Sequence, residues 1–429
     1  MDVATSRRAA WAGGVGTTVE YYDYSVYGFL AVVIAPQFFP SDSPTASVMA
    51  ALLLFATGFV LRPVGGVIFG HIGDRYGRKT ALIATLLMIG IASGGIGLVP
   101  TYDSIGVWAA VLLALLRCAQ GLSAGGELGG STVFIAESTG KGRKAAYGAA
   151  TMIGISLGFS LAGAVAGMVS ALLSPEDLAA WGWRIPFLLS LPLCLFCLWL
   201  RRRADETVTT PSKSKDGVPV AQVFREDAGT VLLASGLAIA LFGVGYIGLT
   251  YLSVHLIQVL GYPPTQAYWV AVVAIFTSCG GAIIAGRVSD RIGLMTVARG
   301  AMLTFAVVSL PAFYMMTLGS ILLVTIAFTT LMIVYVVAST PIVTGVPMLF
   351  RPKHRYTATA LVWNVGAVVA GATTPLVSFW LVEVAGSSLA PVMLCVLWAL
   401  IGVVCAALVR RRLVEIETGS SVPPPDRQA

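Results

Sequence analysis

Twelve apolar stretches alternate with short polar loops along this sequence. A helix that crosses a bilayer needs about 20 apolar residues. Charged residues make up only 11% of the chain and hydrophobic residues 57%, so a water-soluble fold could not cover its own surface. We therefore predict an all-α integral membrane protein of twelve transmembrane helices, at roughly residues 11–36, 46–70, 80–99, 107–136, 145–172, 183–200, 229–258, 267–287, 298–317, 320–348, 357–382 and 390–409.

Basic residues are distributed unevenly between the two faces of this arrangement. All but three of the 27 Lys and Arg residues fall on one face, the exceptions being Arg62, Arg117 and Arg184. Cytoplasmic loops of membrane proteins carry such an excess. The net charge of +7 therefore indicates orientation in a membrane rather than nucleic-acid binding, with both termini cytoplasmic. The six cysteines lie within apolar segments as small packing residues, so no metal site is predicted.

One long polar interruption divides the twelve segments into two sets of six. We predict an N-terminal six-helix bundle at 1–200, a cytoplasmic linker at 201–228, a C-terminal six-helix bundle at 229–412 and a disordered cytoplasmic tail at 413–429. A charged turn within Arg62–Lys79 follows helix 2, and a shorter counterpart at Gly286–Gly293 follows helix 8. Such an internal repeat is typical of two-half transporters whose binding site lies at the midplane.

Charged side chains inside the apolar segments cluster in the first half. Glu20 and Asp23 lie three residues apart on helix 1, and hence on one face. Burial and mutual repulsion disfavour the ionised forms of two such acids, so at least one could take up and release a proton near neutral pH. The alternative is that both acids permanently neutralise Arg117 on helix 4. Arg117 must find an anion, either one of these carboxylates or a bound one.

Three further charged residues each have two interpretations. Glu127, deeper on helix 4, could relay a proton or brace Arg62. Arg62 could extend toward the cytoplasm or contact an anionic substrate. Arg184, which follows Trp181 and Trp183 at the outer mouth of helix 6, could anchor that helix at the interface or contact a substrate on its way in.

The second half is nearly free of buried charge and offers aromatic and amide surfaces. His255, near the outer end of helix 7, is expected at the membrane interface. Most of the aromatic residues, Tyr246 among them, should pack, and one or two should line a cavity, where their faces would suit a quaternary ammonium group. The proton-coupling candidates are Glu20, Asp23, Arg117 and Glu127, and the substrate-binding candidates are Arg62, Arg117, Gln120, Tyr24, Tyr27, Tyr251, Trp363, Asn364 and Arg184.

Several motifs resemble those of a known family. Gly70–Lys79 resembles the helix 2–3 loop signature of the major facilitator superfamily, and Glu137 resembles part of its partner motif. Arg117-x-x-Gln120-Gly121 is similar to the helix 4 motif associated with proton coupling. The chain also resembles the narrower metabolite–proton symporter family, which includes carriers of citrate, α-ketoglutarate, shikimate and proline/betaine. This resemblance rests on four motifs: Glu20-Tyr-Tyr-Asp23, Arg62-Pro-Val-Gly-Gly, Gln120-Gly-x-x-x-Gly-Gly-Glu127 and Trp181-Gly-Trp-Arg-Ile-Pro-Phe187.

This resemblance implies the major facilitator fold, with two six-helix bundles related by pseudo-two-fold symmetry. It implies a proton-coupled symporter that imports a small polar organic solute by alternating access. The solute would be a carboxylate or a zwitterion, with an anion slightly favoured. A cytoplasmic gate is implied at Gly70, Asp74, Arg75, Gly77, Arg78 and Glu137, with a weaker second-half counterpart at Asp290 and Arg291, because Leu294 and Met295 replace the basic pair there.

The remaining expectations concern partners and alternatives. We expect a monomer in the bilayer of a bacterial plasma membrane, with the proton as coupling ion and no other cofactor. A proton-driven exporter is the alternative, disfavoured because Phe159 stands where superfamily antiporters usually place proline. A non-transporting sensor is remote because the loops are short, and no enzyme is expected because no paired Ser/His or metal-ligand cluster occurs at one depth.

Overall fold

The computed structural model describes residues 3–76, 78–125, 132, 144–203, 220–351 and 355–418. These residues form helices and connecting turns, and no strand occurs among them. Within the described ranges, ten helices are long and apolar enough to cross a membrane. The shorter apolar stretch Ile83–Leu98 and the long first helix, whose composition includes more polar residues, complete the twelve predicted spans.

The first half contains six helices, which we label α1 to α6. Their bounds are α1 Val3–Phe38, α2 Pro44–Val60 with Arg62–Tyr76, α3 Arg78–Leu98, α4 Val107–Ala124, α5 Lys144–Leu172, and α6 Arg184–Leu188 with Ser190–Arg203. The second half contains α7 Val220–Tyr246, α8 Pro264–Ile292, α9 Leu294–Met316, α10 Ile321–Gly345, α11 Arg355–Gly366 with Thr373–Ala385, and α12 Val392–Thr418.

The charged stretches predicted as turns are mostly helical. The second segment of α2 continues through Gly70 to Tyr76, and α3 begins at Arg78. In the second half, α8 includes the charged stretch and ends only at Gly293, where φ is 99°. Glycine adopts positive φ at little cost, so the reversal there is confined to one residue. Polar side chains at the end of a membrane helix are compatible with helix, which is why the predicted turns were wrong.

Helices also extend into the segments predicted as linker and tail. α6 continues to Arg203 and α7 begins at Val220, both inside the predicted linker 201–228, while residues 204–219 lie outside the described ranges. α12 runs to Thr418, so the predicted tail 413–429 begins as helix rather than as a disordered segment. The reason is that no helix breaker follows the apolar segment before Gly419.

Three interruptions mark the helices that face the centre. α7 continues through two π turns, Ile247–Tyr251 and His255–Val259, and α11 contains one at Ala367–Gly371. A π turn inserts one residue into a helix and is frequent at functional sites. The π turn of α11 packs against both α7 and α2, so it lies where the two halves meet.

Among the described residues, the two halves meet where α5 packs on α8 and α10, α1 on α7, and α2 on α11. Within the first half, α2 and α4 approach each other closely at glycines. A Cβ on Gly121 would overlap the backbone of Gly58, and one on Gly125 would overlap that of Arg62. Small residues permit such close helix packing. This packing brings the helices that carry Arg62 and Arg117 side by side.

Candidate functional site between the two halves

Arg117 is fully buried at the centre of the first half. Its Nη1 donates to Gln120 Oε1 (2.8 Å) and its Nη2 donates to the carbonyl of Phe55 (3.1 Å). Gln120 Nε2 in turn donates to Ser93 Oγ at 2.7 Å, which fixes the amide. The Arg117 Cζ lies 4.3 Å from the ring centre of Tyr27. Its Nε finds no acceptor among the described residues, so one donor of this cation remains available.

Arg62 is also buried, with 5% of its surface exposed, rather than extended toward the cytoplasm. Its Cζ lies 4.4 Å from the ring centre of Tyr24 and 4.8 Å from that of Phe59. Its Nε has no acceptor in the described part of the chain. A buried cation with an unmade hydrogen bond is costly unless an anion joins it. This position is therefore suited to a bound carboxylate.

Tyr24 connects the two arginines. Its ring centre lies 5.2 Å from the Arg117 Cζ as well as close to Arg62, and its ring meets that of Phe59 edge-on at 5.1 Å. The Tyr24 hydroxyl is buried and forms no hydrogen bond with the residues described. It is therefore a third polar group available to a ligand between the guanidinium groups.

Tyr246, from α7 of the second half, projects among the aromatic rings of the first half. Its ring lies 5.0 Å from Phe59, 6.1 Å from Phe55 and 6.4 Å from Phe159, and it stacks on Phe242 at 6.0 Å. Its hydroxyl is buried without a partner in the described ranges. We call Arg62, Arg117, Tyr24, Phe55, Phe59 and Tyr246 the central cluster. It combines cationic donors with aromatic faces from both halves.

Asp23 is fully buried, one helical turn before Tyr27 on α1. Neither carboxylate oxygen has a hydrogen-bond partner among the described residues, and the Ser190 hydroxyl of α6 lies beside them. The preceding residue, Tyr22, also faces α6 and donates to the carbonyl of Pro186 at 2.7 Å. α1 thus directs Tyr22 and Asp23 at α6, and Tyr24 and Tyr27 at the arginines.

The predicted permanent neutralisation of Arg117 by the two acids is not what the structure shows. The guanidinium hydrogen bonds go to Gln120 and to Phe55, and Asp23 faces α6 instead. Glu20 is partly buried and acts electrostatically on Arg62. The two acids therefore have separate surroundings, although they are only three residues apart.

Several predicted substrate residues contact protein groups outside the central cluster. Tyr27 donates to the carbonyl of Ala51 at 3.0 Å, below the Arg117 guanidinium. The Tyr251 hydroxyl lies 3.1 Å from His255 Nδ1 and donates to the carbonyl of Ser378 at 3.3 Å. His255 is 0% exposed, so its side chain faces the protein interior. One π turn precedes it and the second begins at it, and both change the register of α7, which the sequence pattern does not reveal.

Trp363 and Asn364 connect the halves rather than lining open space. Trp363 Nε1 donates to Thr132 Oγ1 (3.3 Å), and Asn364 Nδ2 donates to the carbonyl of Gly125 (3.2 Å). Arg184 is apart from the central cluster. Its guanidinium donates to the carbonyls of Ala180 (2.9 Å) and Val99 (3.3 Å), which fits the anchoring interpretation.

Both ends of the molecule have contacts between the halves. At the end rich in basic residues, Asp290 accepts the backbone N–H groups of Ala145 and Ala146 (2.9 and 3.1 Å) at the start of α5. A carboxylate at a helix N-terminus is electrostatically favourable. At the opposite end, Thr45 donates to Glu383 at 3.1 Å, and the hydroxyls of Ser170 and Thr265 lie 2.8 Å apart. Among the described residues, contacts between the halves are therefore present at both ends.

The rest of the predicted gate is described only in part. Arg75 is exposed with its guanidinium 5.4 Å from the Tyr76 ring, and Arg291 is also exposed. Gly70 lies within the helical end of α2. Gly77, Glu127 and Glu137 lie outside the described residues, as do the side chains of Asp74 and Arg78.

Sequence analysis missed Phe55, Phe59 and Ser190, and it took Tyr246 as one packing residue among several. A signal for three of them was present. Phe55 and Phe59 are four residues apart on α2, and Phe242 and Tyr246 are four apart on α7, so each pair forms an aromatic patch on one helix face. For Ser190 no pattern in the sequence pointed to a role.

Comparison with known proteins identifies the family. The model of the Major Facilitator Superfamily matches residues 14–372. A glycine betaine/proline/ectoine/pipecolic acid transporter of Dickeya dadantii is 32% identical, over 94% of this chain and 83% of its own length. A proline/betaine transporter of Escherichia coli K12 is 30% identical over the same shares. A putative proline/betaine transporter of Staphylococcus aureus is 32% identical over 91% and 85%.

Solved structures share the fold at lower sequence identity. The crystal structure of a D-xylose–proton symporter superposes with a TM-score of 0.73 at 17% identity, covering 95% of this chain and 97% of that one. A partially occluded, inward-open form of the Escherichia coli xylose transporter XylE gives 0.69 at 16% identity and covers 99% of both chains. The twelve-helix fold, the matched family model and the similar transporters together show that this chain is a multi-pass membrane transporter of the major facilitator superfamily.

Proposed function

We propose that the chain is a proton-coupled symporter that imports a small zwitterion, such as a betaine or proline, by alternating access. One observation carries this proposal: the central cluster presents unpartnered Nε donors of two buried arginines beside buried tyrosine hydroxyls and a group of aromatic rings from both halves. Donors to an anion and faces for a cation lie side by side. A molecule that carries both charges would satisfy both groups.

The carboxylate of the solute would bind between Arg62 and Arg117, where each guanidinium keeps a free Nε. Charge-assisted hydrogen bonds of this kind are about twice as strong as neutral ones. The ammonium group would lie against the rings of Phe59 and Tyr246. Cations within about 6 Å of an aromatic centre are attracted by the ring, and methylated ammonium groups are recognised in this way.

A zwitterion fits this site better than the dianions and trianions considered from the sequence. Aromatic faces repel an anion because the face of each ring is its negative side. The described part of the cluster offers only two cations, and Glu20 already acts on one of them. The similar bacterial transporters are named for betaine and proline, which supports the same solute class.

We assign proton coupling to Asp23. A carboxyl group that is fully buried without a partner is far more stable as the neutral acid than as the anion. Its ionisation requires a conformation in which water or a donor reaches it. Alternation between an open and an occluded form would therefore load and release the proton. Glu127 and Glu20 remain candidates for a second step in proton movement.

Alternating access would use the contacts at the two ends of the molecule in turn. Opening the outer end would separate Thr45 from Glu383, and opening the basic end would separate Asp290 from the start of α5. We place the basic end in the cytoplasm of a bacterial cell, because positive residues follow that side. The two six-helix halves would then rock about the central cluster.

Uptake into proteoliposomes tests the proposal. Purified protein would be reconstituted, a pH gradient with an acidic exterior imposed, and radiolabelled glycine betaine, proline, citrate, α-ketoglutarate and shikimate offered separately. Glycine betaine or proline should accumulate, and a pH-sensitive dye should report protons entering with the solute. Empty liposomes and a gradient collapsed by a protonophore are the controls.

Two outcomes would contradict the proposal. Accumulation of citrate, α-ketoglutarate or shikimate in place of the zwitterions would assign the central cluster to organic anions. Uptake driven by a reversed gradient, with an acidic interior, would indicate the exporter that the sequence analysis kept as its alternative.

A further inference from the structure

The break in α6 faces a buried acid, Asp23, that lacks a hydrogen-bond partner among the described residues. α6 consists of two segments that meet at Leu189, and Ser190 is the first residue of the second. Ser190 is fully buried, and its hydroxyl has no hydrogen-bond partner among the described residues. The Asp23 carboxylate, equally buried and unpartnered, lies beside it. Two unsatisfied polar groups side by side are rare in protein interiors and call for an explanation.

A hydrogen bond made by Tyr22 explains why the Ser190 hydroxyl has no partner within its own helix. A serine in a helix usually donates to the carbonyl four residues earlier, which for Ser190 is that of Pro186. Here the Tyr22 hydroxyl donates to that carbonyl at 2.7 Å. Tyr22 and Asp23 are adjacent on α1. Tyr22 thus binds the Pro186 carbonyl, the usual acceptor of Ser190, while Asp23 offers Ser190 another acceptor. The hydroxyl is thereby held available for Asp23.

We infer that Ser190 is a positioning residue of the proton site: its hydroxyl donates a hydrogen bond to the Asp23 carboxylate and so stabilises the ionised form after the proton has left. This inference rests on the proposed function. No bond is formed or broken beyond the transfer of one proton between hydronium and the carboxylate. When the site opens, the proton leaves Asp23 to water and the Ser190 hydroxyl donates to the carboxylate oxygen that carried it.

Other titratable groups on the elements around this pair are engaged elsewhere. Arg117 of α4 binds Gln120 and Phe55, and Arg184 of α6 binds two carbonyls. Cys194 of α6 donates to the carbonyl of Leu86. The titratable neighbour that shares the environment of Asp23 is Tyr22. Within the described ranges no cation acts on the carboxyl group. Burial favours its protonated form, and the Ser190 hydroxyl beside it favours the ionised form.

The test compares the pH dependence of uptake in Ser190→Ala, Ser190→Thr and wild type, reconstituted as the full chain. Ser190→Ala removes the donor to the Asp23 carboxylate, so the pH at which uptake is half-maximal should move by about half to one unit toward higher pH, as expected for one hydrogen bond. Ser190→Thr keeps the hydroxyl and should keep the wild-type midpoint. Ser309→Ala is the matched control, because Ser309 is a fully buried serine whose hydroxyl bonds only within its own helix.

An infrared readout separates positioning from a merely structural role. The C=O stretching band of protonated Asp23, identified by its loss in Asp23→Asn, should shift in Ser190→Ala and stay unshifted in Ser309→Ala. Tyr22→Phe should also shift it, because the Pro186 carbonyl becomes available and draws the Ser190 hydroxyl away. An unchanged pH midpoint and an unchanged band in an active Ser190→Ala protein would overturn the inference. Wild-type uptake that ignores the pH gradient would instead overturn the proposed function.

Discussion

The two halves of this transporter differ in the kinds of polar side chain that they bury. The first half buries a carboxyl group and two guanidinium groups, with Asp23 and the Nε atoms of Arg62 and Arg117 unpartnered among the described residues. The second half buries mainly neutral groups and contributes π turns in α7 and α11. Its clearest contribution to the centre is the single ring of Tyr246. One half therefore holds the charges, and the other supplies a neutral, adjustable wall.

The largest expected effect comes from Asp23→Asn, which keeps the shape but cannot exchange a proton. Accumulation of glycine betaine driven by a pH gradient should fall to the equilibrium level, while exchange of labelled for unlabelled solute continues. Asp103→Asn is the control, because Asp103 is an exposed acid in a loop. Accumulation at the wild-type level in the Asp23 variant would remove the proton site from the first half.

Arg62→Lys and Arg117→Lys should have the next largest effect. Lysine keeps the charge but loses the planar donor set of arginine. The half-saturation concentration for glycine betaine should rise about 10- to 100-fold, which corresponds to about 1.4–2.8 kcal/mol of binding. Arg184→Lys should stay close to wild type, because its guanidinium contacts backbone carbonyls away from the centre. A strong effect at Arg184 instead would move the solute toward the outer mouth.

Tyr246→Leu tests the contribution of the second half. Loss of the ring should raise the half-saturation concentration for glycine betaine by about tenfold, in line with a desolvated cation–π contact, while Tyr246→Phe should change it less. Tyr314→Leu, at an exposed tyrosine of α9, is the control for the loss of a ring. Equal binding in the wild type and the Leu variant would confine solute recognition to the first half.

Gly121→Ala should loosen the packing that brings the two arginines together. Its added methyl would overlap the backbone of Gly58, and overpacking of this kind costs about 1–3 kcal/mol. The temperature of unfolding in detergent should fall. Gly300→Ala in α9 meets no atom within 4 Å and should leave it unchanged. Equal melting temperatures of Gly121→Ala and wild type would show that α2 and α4 can move apart without loss of thermal stability.

The smallest effect is expected at His255. Its ring is buried against Tyr251 and Phe313, where a charged imidazole would be costly, so it should remain neutral. His255→Gln should keep transport within about threefold and leave the pH midpoint unchanged, since one neutral hydrogen bond is at stake. A displaced midpoint would place a titrating group in the second half and end the contrast between the halves.

Sequence reasoning predicted the fold better than the details of the site. Hydropathy and charge asymmetry located the twelve helices because the bilayer imposes their length. Helix ends at Tyr76, Arg203 and Thr418 were missed because polar residues can continue a helix beyond the membrane. Arg117 was predicted as central because a buried arginine is unusual in any sequence, whereas the two interpretations of Arg62 could not be separated.

The finer geometry of the site depends on contacts that no spacing rule contains. The inward turn of His255 follows from π turns, and the availability of Ser190 follows from a hydrogen bond donated by another helix. Tyr246 differs from the other aromatic residues of its half only in what it meets across the interface. These features are tertiary contacts, so they become visible only in the three-dimensional structure.

The division of α1 into two sides has a consequence for how such a carrier can diversify. Substitutions around Tyr24 would alter what the proposed solute meets, whereas Tyr22, on the opposite side of α1, contacts α6, as does the Asp23 carboxyl group. A lineage can therefore exchange one cargo for another while inheriting its energy source unchanged. The same separation lets an engineer redesign cargo preference on one side of a single helix and leave the driving ion alone.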